Sequence, residues 1–229
     1  MPLKEIAEYQ NLQHAKSTPQ MILRHALDCV RIGDTALVSS FGAESVVLLH
    51  MASEIDKNVP VIFLDTEMLF EETLAYQVTV AQTLGLSDVR VIAPARDAVF
   101  ARDVDGLLHQ ADVDACCTLR KTEPLARALS GFGSWVTGRK RYQNGHRAAL
   151  PAFEKDPNAD RIKINPLARW DAQDVATYIT AHDLPRHPLV AKGFPSVGCR
   201  PCTHAVGVGE SARSGRWKDS EKTECGIHF

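Results

Sequence analysis

The predicted architecture begins from one stretch, Thr35-Ala36-Leu37-Val38-Ser39-Ser40-Phe41-Gly42-Ala43-Glu44-Ser45. Its first five residues are typical of a buried parallel strand, and an apolar helical run from Val46 to Ala52 follows. Between them, small hydroxyl side chains and Gly42 let backbone N–H groups approach an anion at the positive end of the next helix. The stretch therefore predicts a strand, a phosphate-binding loop and a helix, although many α/β turns carry Ser and Gly without a ligand.

Alternating strand and helix patterns extend this unit along the chain. Strand patterns follow at 60–65, 89–93, 134–138 and 161–167, helical patterns separate them at 69–84, 98–110, 118–129 and 171–181, and two more helical patterns precede the first strand at 3–15 and 19–32. Such alternation is typical of a mostly parallel sheet flanked by helices. Because periodicity ends near residue 207, we expect one α/β domain over residues 1–206 and a flexible tail over 207–229.

Composition excludes several classes of function. The 229 residues are 45% hydrophobic, which is enough for one sizeable core. A formal net charge of -2 gives no global attraction to nucleic acid. No run of eighteen apolar residues predicts a membrane span, and the segment Met1–Glu5 does not start like a signal peptide. We therefore expect a cytoplasmic protein.

Polar and charged residues follow the ends of two predicted strands. Asp65 and Thr66 come directly after the second strand, where open α/β sheets bind ligands, although either residue could instead cap the next helix. A basic run, residues 139–143, follows the fourth strand, with His146 and Arg147 close behind. Such runs are commonly solvated, yet at a strand end they also bind phosphate or sulfate.

The six cysteines include two closely spaced pairs. Cys116 and Cys117 are adjacent and cannot easily bridge each other, so they need an outside partner, which the knuckle Cys199-x-x-Cys202 supplies. Zinc knuckles usually place two to four residues between ligands, whereas a 4Fe-4S cluster gives neighbouring thiolates separate iron atoms. The spacing favours the iron–sulfur cluster and leaves a zinc site and unliganded cysteines as alternatives. Cys29 is predicted to pack in the core.

The predicted tail carries its own motifs. Arg213-Ser214-Gly215-Arg216-Trp217 presents two cations, and the chain ends with a lone cysteine in Glu224-Cys225-Gly226-Ile227-His228-Phe229. A near-terminal cysteine is normally an incidental thiol. Here Gly226 gives backbone freedom and His228 could stabilise a thiolate, so a catalytic Cys225 is a real alternative.

Taken together, these motifs resemble the assimilatory adenylyl-sulfate reductases, the cluster-containing branch of the thioredoxin-dependent sulfonucleotide reductases. The resemblance covers nearly the whole chain, and the cysteine pairs and the terminal motif are its most specific parts. It rests on Ser39 to Ser45, Leu64-Asp65-Thr66, Cys116-Cys117 with Lys121, Cys199 with Cys202, Arg213, Arg216 and Glu224 to His228.

The resemblance implies an adenine nucleotide α-hydrolase-like (PP-loop-type) fold and a reductase of adenosine 5′-phosphosulfate in sulfate assimilation and cysteine biosynthesis. Cys225 would attack the substrate's sulfur and release AMP, with Lys121 and His228 assisting, and reduced thioredoxin, or glutaredoxin, would free sulfite.

The resemblance also implies a cofactor and a set of binding residues. A 4Fe-4S cluster would be bound by Cys116, Cys117, Cys199 and Cys202. The implied substrate-binding residues are Ser39, Ser40, Gly42, Ala43, Glu44, Leu64, Asp65, Thr66, Arg141, Arg213 and Arg216. Self-association is also expected, since family members are often dimers or tetramers.

Two departures and three alternatives accompany this interpretation. Glu67 stands where related sequences often have Gly, and Lys140-Arg141 stands where they tend to have two arginines, so the binding role is carried over for Arg141 only. The first alternative is a reductase of 3′-phosphoadenosine 5′-phosphosulfate, or of both nucleotides. The others are a nucleotide-activating sulfur transferase acting on RNA and a zinc-stapled binding domain with an incidental terminal cysteine.

Overall fold

The computed structural model describes residues 1–143, 145–207, 209–218, 222, 224 and 226–228. In this part of the chain six strands form one sheet in the order β3-β2-β1-β4-β6-β5, parallel except for β5, which runs antiparallel to β6. The prediction of a mostly parallel sheet flanked by helices is confirmed. The strands are β1 (Thr35–Ser39), β2 (Val61–Leu64), β3 (Val89–Ile92), β4 (Ser134–Val136), β5 (Phe153–Lys155) and β6 (Ile162–Ile164).

Helices cover the sheet on both sides. Asp171 and Asp174 form the capping box that starts α9, with reciprocal bonds of 2.8 and 2.9 Å. The helices are α1 (Leu3–Gln13), α2 (Pro19–Asp28), α3 (Ser45–Ser53), α4 (Glu71–Leu84), α5 (Arg96–Arg102), α6 (Leu108–Ala111), α7 (Val113–Cys117), α8 (Glu123–Ala128) and α9 (Ala172–Ala181), and a π-helical turn, Thr118–Thr122, joins α7 to α8. No helix in the described ranges is long and apolar enough to span a membrane.

The structure corrects three element predictions. The helix predicted over 98–110 is wrong, because α5 ends before Asp103, whose buried carboxylate instead bonds Arg120 at 2.8 Å and accepts from the backbone N–H of Leu108 at 2.8 Å. The helix predicted over 19–32 ends at Asp28. The helix predicted to start at 118 is preceded by α7, which starts at Val113 and ends with the cysteine pair.

Side chains alternate between the two faces of the sheet. One face, here called the apolar face, carries Leu37, Phe63, Val136 and Ile162 against α2, α3 and α9 in one large hydrophobic cluster. The opposite face, here called the mixed face, carries a smaller apolar cluster with Leu125 and Leu129 of the α8 region, formed by Ala36, Val38, Ile62, Leu64 and Trp135. Cys29 is half-buried and packs against the larger cluster.

The described residues of the predicted tail contact the domain. Arg216 bridges Thr203 in an antiparallel pair, and Trp217 is only 5% exposed. Glu224 is 4% exposed. A 3₁₀ turn, Gly226–His228, packs Ile227 against the mixed face.

Candidate active site

A cavity of about 430 Å³ opens at the carboxyl ends of β1 and β4. Within the sheet, β1 lies between β2 and β4. The chain continues from β1 to β2 on one side of β1, while β4 pairs with its other side, so β1 and β4 flank a topological switch point. Parallel α/β sheets bind ligands at such points, because the loops there diverge and leave a crevice. The cavity is lined by the β1 loop, residues 40 and 42–45, and by the β4 loop, residues 137–140.

The β1 loop is held in a strained conformation. Phe41 adopts a left-handed φ of 45° while fully buried against Phe63, with ring centroids 5.2 Å apart. A bulky residue rarely adopts this conformation, and such strain concentrates at ligand-binding loops. The backbone N–H of Gly42 donates to Ser45 Oγ at 3.0 Å, which ties the loop to the first turn of α3. The loop is therefore preorganised at the N-terminus of a helix.

Positive charge dominates the cavity wall. Among the described residues, six cationic and two carboxylate side chains line it, namely Lys121, Arg139, Lys140, Arg147, Arg213, Arg216, Glu44 and Glu224. The Arg216 guanidinium lies 4.4 Å from the centroid of the Trp217 ring, which orients it. An excess of cations in a partly closed cavity attracts an anionic ligand.

Glu44 is ionised in the cavity wall. Burial tends to raise the pKa of this carboxyl group, but the nearby Lys140 and hydrogen bonds from Lys140, Tyr142 and Gln143 outweigh burial and lower it. Lys140 Nζ lies 2.7 Å from Glu44 Oε2 and is 2% exposed. Burial lowers the pKa of Lys140, although Glu44 opposes this effect. We conclude that the two side chains form an ion pair.

The C-terminal motif reaches the cavity through its described residues. Glu224 and Ile227 both line it, and Arg147 Nε lies 2.5 Å from Glu224 Oε2. Gly226 lies against the π turn: a Cβ there would be 3.4 Å from Thr122 Oγ1 and 3.8 Å from the Cβ of Cys117. The predicted nucleophile Cys225 and the side chain of His228 lie outside the described residues.

The two cysteine pairs lie within electrostatic reach of each other. Cys116, Cys117 and Cys199 are buried, Cys202 is half-buried, and none of the cysteines that the structure describes forms a disulfide. The pKa of the Cys116 thiol is raised to about 11, mainly by burial and in part by the nearby Cys199 and Cys202. Thr66 Oγ1 lies 3.2 Å from Cys199 Sγ, and both residues line the cavity. Of the four cysteines, Cys199 therefore borders the cavity directly.

The four thiols of the two pairs are the candidate ligands of a metal centre. The ligands of one zinc lie about 2.3 Å from it, so their sulfur atoms must crowd within about 4 Å of one another. No group of three His, Cys, Asp or Glu side chains among the described residues comes together as a site for a metal ion. A cuboidal cluster binds each thiolate through a different iron and does not require this crowding. Four cysteines in two nearby pairs are compatible with that arrangement.

The structure brings most of the predicted site residues together. Lining the cavity are Ser39, Ser40, Gly42, Ala43, Glu44, Leu64, Thr66, Lys121, Arg213, Arg216 and Cys199. Two predicted binding residues are not among the lining residues. Asp65 accepts a bond from the backbone N–H of Glu67 at 2.9 Å, and Arg141 donates from Nε to the carbonyl oxygen of Leu150 at 2.9 Å.

Several residues that line the cavity are not among the site residues predicted from the sequence. Arg139, Lys140 and Arg147 belong to the basic run noted after β4, but only the strand order shows that its first residues enter the switch point. Glu224 was noted only as part of the terminal motif. Its position directly before Cys225 in that motif is the sequence signal that could have identified it as a site residue.

Arg120, which follows the cysteine pair in the sequence, connects that part of the chain to Thr66 and Glu67 in the loop after β2. Its guanidinium is buried, donates to the carbonyl oxygen of Thr66 at 2.9 Å and pairs with Asp103. It also lies 3.3 Å from the carboxylate of Glu67, which adopts a left-handed φ of 58°. A glycine at that position would adopt this conformation without strain.

Comparison with known proteins identifies the family. Residues 34–205 match the model of the phosphoadenosine phosphosulfate reductase domain. An adenosine 5′-phosphosulfate reductase of Mesorhizobium japonicum is 55% identical over 196 residues, covering 86% of this chain and 76% of that protein. A phosphoadenosine 5′-phosphosulfate reductase of Gloeobacter violaceus is 39% identical over 214 residues, covering 92% and 88%.

A solved structure agrees with these sequence matches. The phosphoadenylyl-sulfate reductase of Candida auris, in a phosphate complex, superposes with a TM-score of 0.74 at 29% identity, covering 88% of this chain and 97% of that chain. The resemblance drawn from the sequence motifs is confirmed. The chain belongs to the phosphoadenosine phosphosulfate reductase family and has its PP-loop-type nucleotide-binding fold.

Proposed function

We propose that the protein reduces adenosine 5′-phosphosulfate to sulfite and AMP, with thioredoxin as reductant, in cytoplasmic sulfate assimilation and cysteine biosynthesis. One observation carries the proposal. A single cavity is lined by the β1 loop, by six cations, by the thiol of Cys199, and by Glu224 and Ile227 of the C-terminal motif. These are the parts needed to bind an anionic nucleotide beside a sulfur nucleophile.

Binding follows from the charges of the cavity. The phosphosulfate group is anionic, and the backbone N–H groups of the β1 loop stand at the positive end of α3. Lys121, Arg213 and Arg216 supply cations in the same cavity. Neutralisation of the sulfate lowers the cost of attack by a second anion, the thiolate.

The chemical step uses Cys225 as nucleophile. Its thiolate attacks the sulfate sulfur, a sulfur–sulfur bond forms, and the bond between that sulfur and the bridging phosphate oxygen breaks. The bridging oxygen and its electron pair leave with AMP, and Cys225 carries an S-sulfonate. Lys121 and His228 are proposed to stabilise the charge that develops on the leaving group and on the transferred sulfonate.

A dithiol completes the cycle. One thiolate of reduced thioredoxin, or of glutaredoxin, attacks the Cys225 sulfur and expels sulfite, which leaves a mixed disulfide. The second thiol of the reductant resolves that disulfide and restores Cys225. The dithiol supplies both electrons.

We further propose that Cys116, Cys117, Cys199 and Cys202 hold a 4Fe-4S cluster. The donor set consists of four thiols, which suits iron–sulfur ligation. When bound, the cluster supplies electrostatic polarisation beside Cys199. It supplies no net electrons, because the dithiol provides both electrons of the reduction.

Specificity for the nucleotide without a 3′-phosphate is supported by the basic run after β4. A 3′-phosphate requires a further cation, yet the described cations of this run already have protein partners. Lys140 pairs with Glu44, Arg139 with Glu154, Arg147 with Glu224, and Arg141 donates to the carbonyl oxygen of Leu150. Use of the 3′-phosphorylated nucleotide, alone or in addition, is the alternative.

The test is sulfite release by anaerobically purified protein with reduced thioredoxin. We expect activity with adenosine 5′-phosphosulfate, at least tenfold less with the 3′-phosphorylated form, none in Cys225→Ser, and full activity in the matched control Cys29→Ser, whose thiol packs against the core. Equal rates would support dual specificity, and no sulfite from either nucleotide would overturn the proposal.

The cofactor is tested separately by metal analysis. We expect about four iron atoms and four inorganic sulfides per chain, with loss of both in Cys202→Ser. Zinc without iron would contradict the cluster.

A further inference from the structure

Lys163 is a buried cation that the proposed reaction does not use. It is the central residue of β6, is 1% exposed and points to the mixed face of the sheet. Trp135 of β4 and Glu154 of β5 are its register neighbours on either side. Lys163 is not among the residues that line the cavity, and lysine is almost never fully buried without a partner.

The amino group of Lys163 contacts the C-terminal turn. Nζ lies 4.7 Å from the centroid of the Trp135 ring and 3.4 Å from the carbonyl oxygen of Ile227. The side chain of Ile227 packs on the same face, against the apolar cluster that includes Trp135. The mixed face therefore holds the turn by one polar and one apolar contact.

Charges surround Lys163 from every neighbouring element. Its pKa is lowered to about 7: burial is the largest cause, Arg139 and Arg147 also lower it, and Asp156 and Glu224 oppose the shift. Glu154, beside it on β5, is engaged by Arg139. Desolvating a charged amino group costs free energy, so an apolar side chain of similar volume at this position need not reduce stability. Stability alone therefore does not explain a lysine here.

Resting on the proposed function, we infer that Lys163 is a positioning residue for sulfur transfer: its amino group donates to the Ile227 carbonyl and fixes the turn that directly follows Cys225 in the sequence. A nucleophile displaced by a fraction of an ångström loses rate even when substrate still binds, because the reacting atoms must be close and aligned. The effect should appear in the transfer rate and not in nucleotide affinity.

The first experiment measures S-sulfonate formation on Cys225 in a single turnover with adenosine 5′-phosphosulfate and no reductant, by mass spectrometry. We expect Lys163→Met to slow transfer about tenfold, the effect of losing one charged hydrogen bond, with unchanged affinity for AMP. Lys163→Arg keeps a donor and should recover part of the rate. The matched control is Lys155→Met on β5, whose side chain is 46% exposed and which should behave as wild type.

The second experiment compares hydrogen-exchange protection of the C-terminal peptide with overall stability. We expect Lys163→Met to lower protection of the turn while its thermal midpoint stays equal to or above that of wild type, a combination that a merely structural role would not produce. In wild type, protection should fall between pH 6 and pH 8 as Lys163 loses its proton.

The outcomes separate the two proposals. If wild type forms no S-sulfonate on Cys225, the proposed function fails. If wild type forms it and Lys163→Met matches wild type in both transfer and protection, the positioning role is overturned. Should Lys163→Met not fold, Lys163→Gln, which removes the charge and keeps a polar side chain, replaces it in both experiments and is judged by the same outcomes.

Discussion

The two faces of the sheet differ in what they bury. The apolar face is covered by one large cluster in which strand and helix side chains are almost entirely hydrocarbon. The mixed face has a smaller cluster, and Lys163 lies beside it under the C-terminal turn. The cavity lies at the strand ends, where it also contacts Leu37 and Leu48 of the apolar face. The difference indicates that the apolar face supplies most of the hydrophobic stability, while the chemistry lies at the strand ends and beside the mixed face.

The largest expected effect comes from damaging the apolar face. Leu23→Ala removes a fully buried side chain of α2 and should cost about 3 kcal/mol through lost burial and a residual cavity. Urea unfolding measures this, with the exposed Leu12→Ala as control at under about 0.5 kcal/mol. Activity per folded molecule should not change. A loss of activity without a loss of stability would contradict the division between the faces.

A charge change at the cavity should affect stability and binding together. Lys140→Met leaves Glu44 without its cation, and the expected cost is about 2 kcal/mol, below that of a fully buried pair because the Glu44 side chain is 31% exposed. Nucleotide affinity should also fall. The double variant with Glu44→Gln should recover part of the stability, and an additive double variant would show that the pair is not coupled.

The smallest expected effect is a pH dependence at the rim of the apolar face. His187 packs on Tyr76, and its Nδ1 accepts from the backbone N–H of Leu189 at 3.2 Å. Burial lowers its pKa to about 4. Because the unfolded chain titrates near pH 6.5, it binds more protons than the native state below that pH, so stability falls as pH drops from 6.5 toward 4.

This loss should reach about 1.4 kcal/mol at pH 5.5. The His187→Gln variant, which cannot take up the proton, isolates it from other acid effects in the same urea titrations. Equal pH profiles for wild type and variant would show that His187 is not the group responsible.

Local patterns in the sequence predicted what local physics determines. The strand, loop and helix of residues 35–53 and the capping box of Asp171 and Asp174 depend on neighbours in the chain, and both are present in the structure. The spacing of the cysteines likewise indicated the family before any comparison. These features need no knowledge of where distant segments lie.

Long-range contacts could not be read in the same way. β5 is only three residues long and exists because it pairs with β6. The bond between Arg147 and Glu224 joins residues 77 positions apart, and no local pattern in either segment predicts that pairing. The break of the helix after Arg102 depends on Asp103 binding Arg120, which is equally remote from the local pattern.

The π turn between α7 and α8 has a consequence for the permitted length of the chain. A π turn holds one more residue than the α-helical turn it replaces, and such turns occur frequently at functional sites. Deleting one residue from 118–122 would let the backbone continue as ordinary α-helix, and it would rotate everything before the deletion by about 100° relative to α8. Cys116 and Cys117 would then turn away from Cys199. An exposed position such as Thr118 should therefore tolerate substitution more readily than the segment tolerates a change in its number of residues.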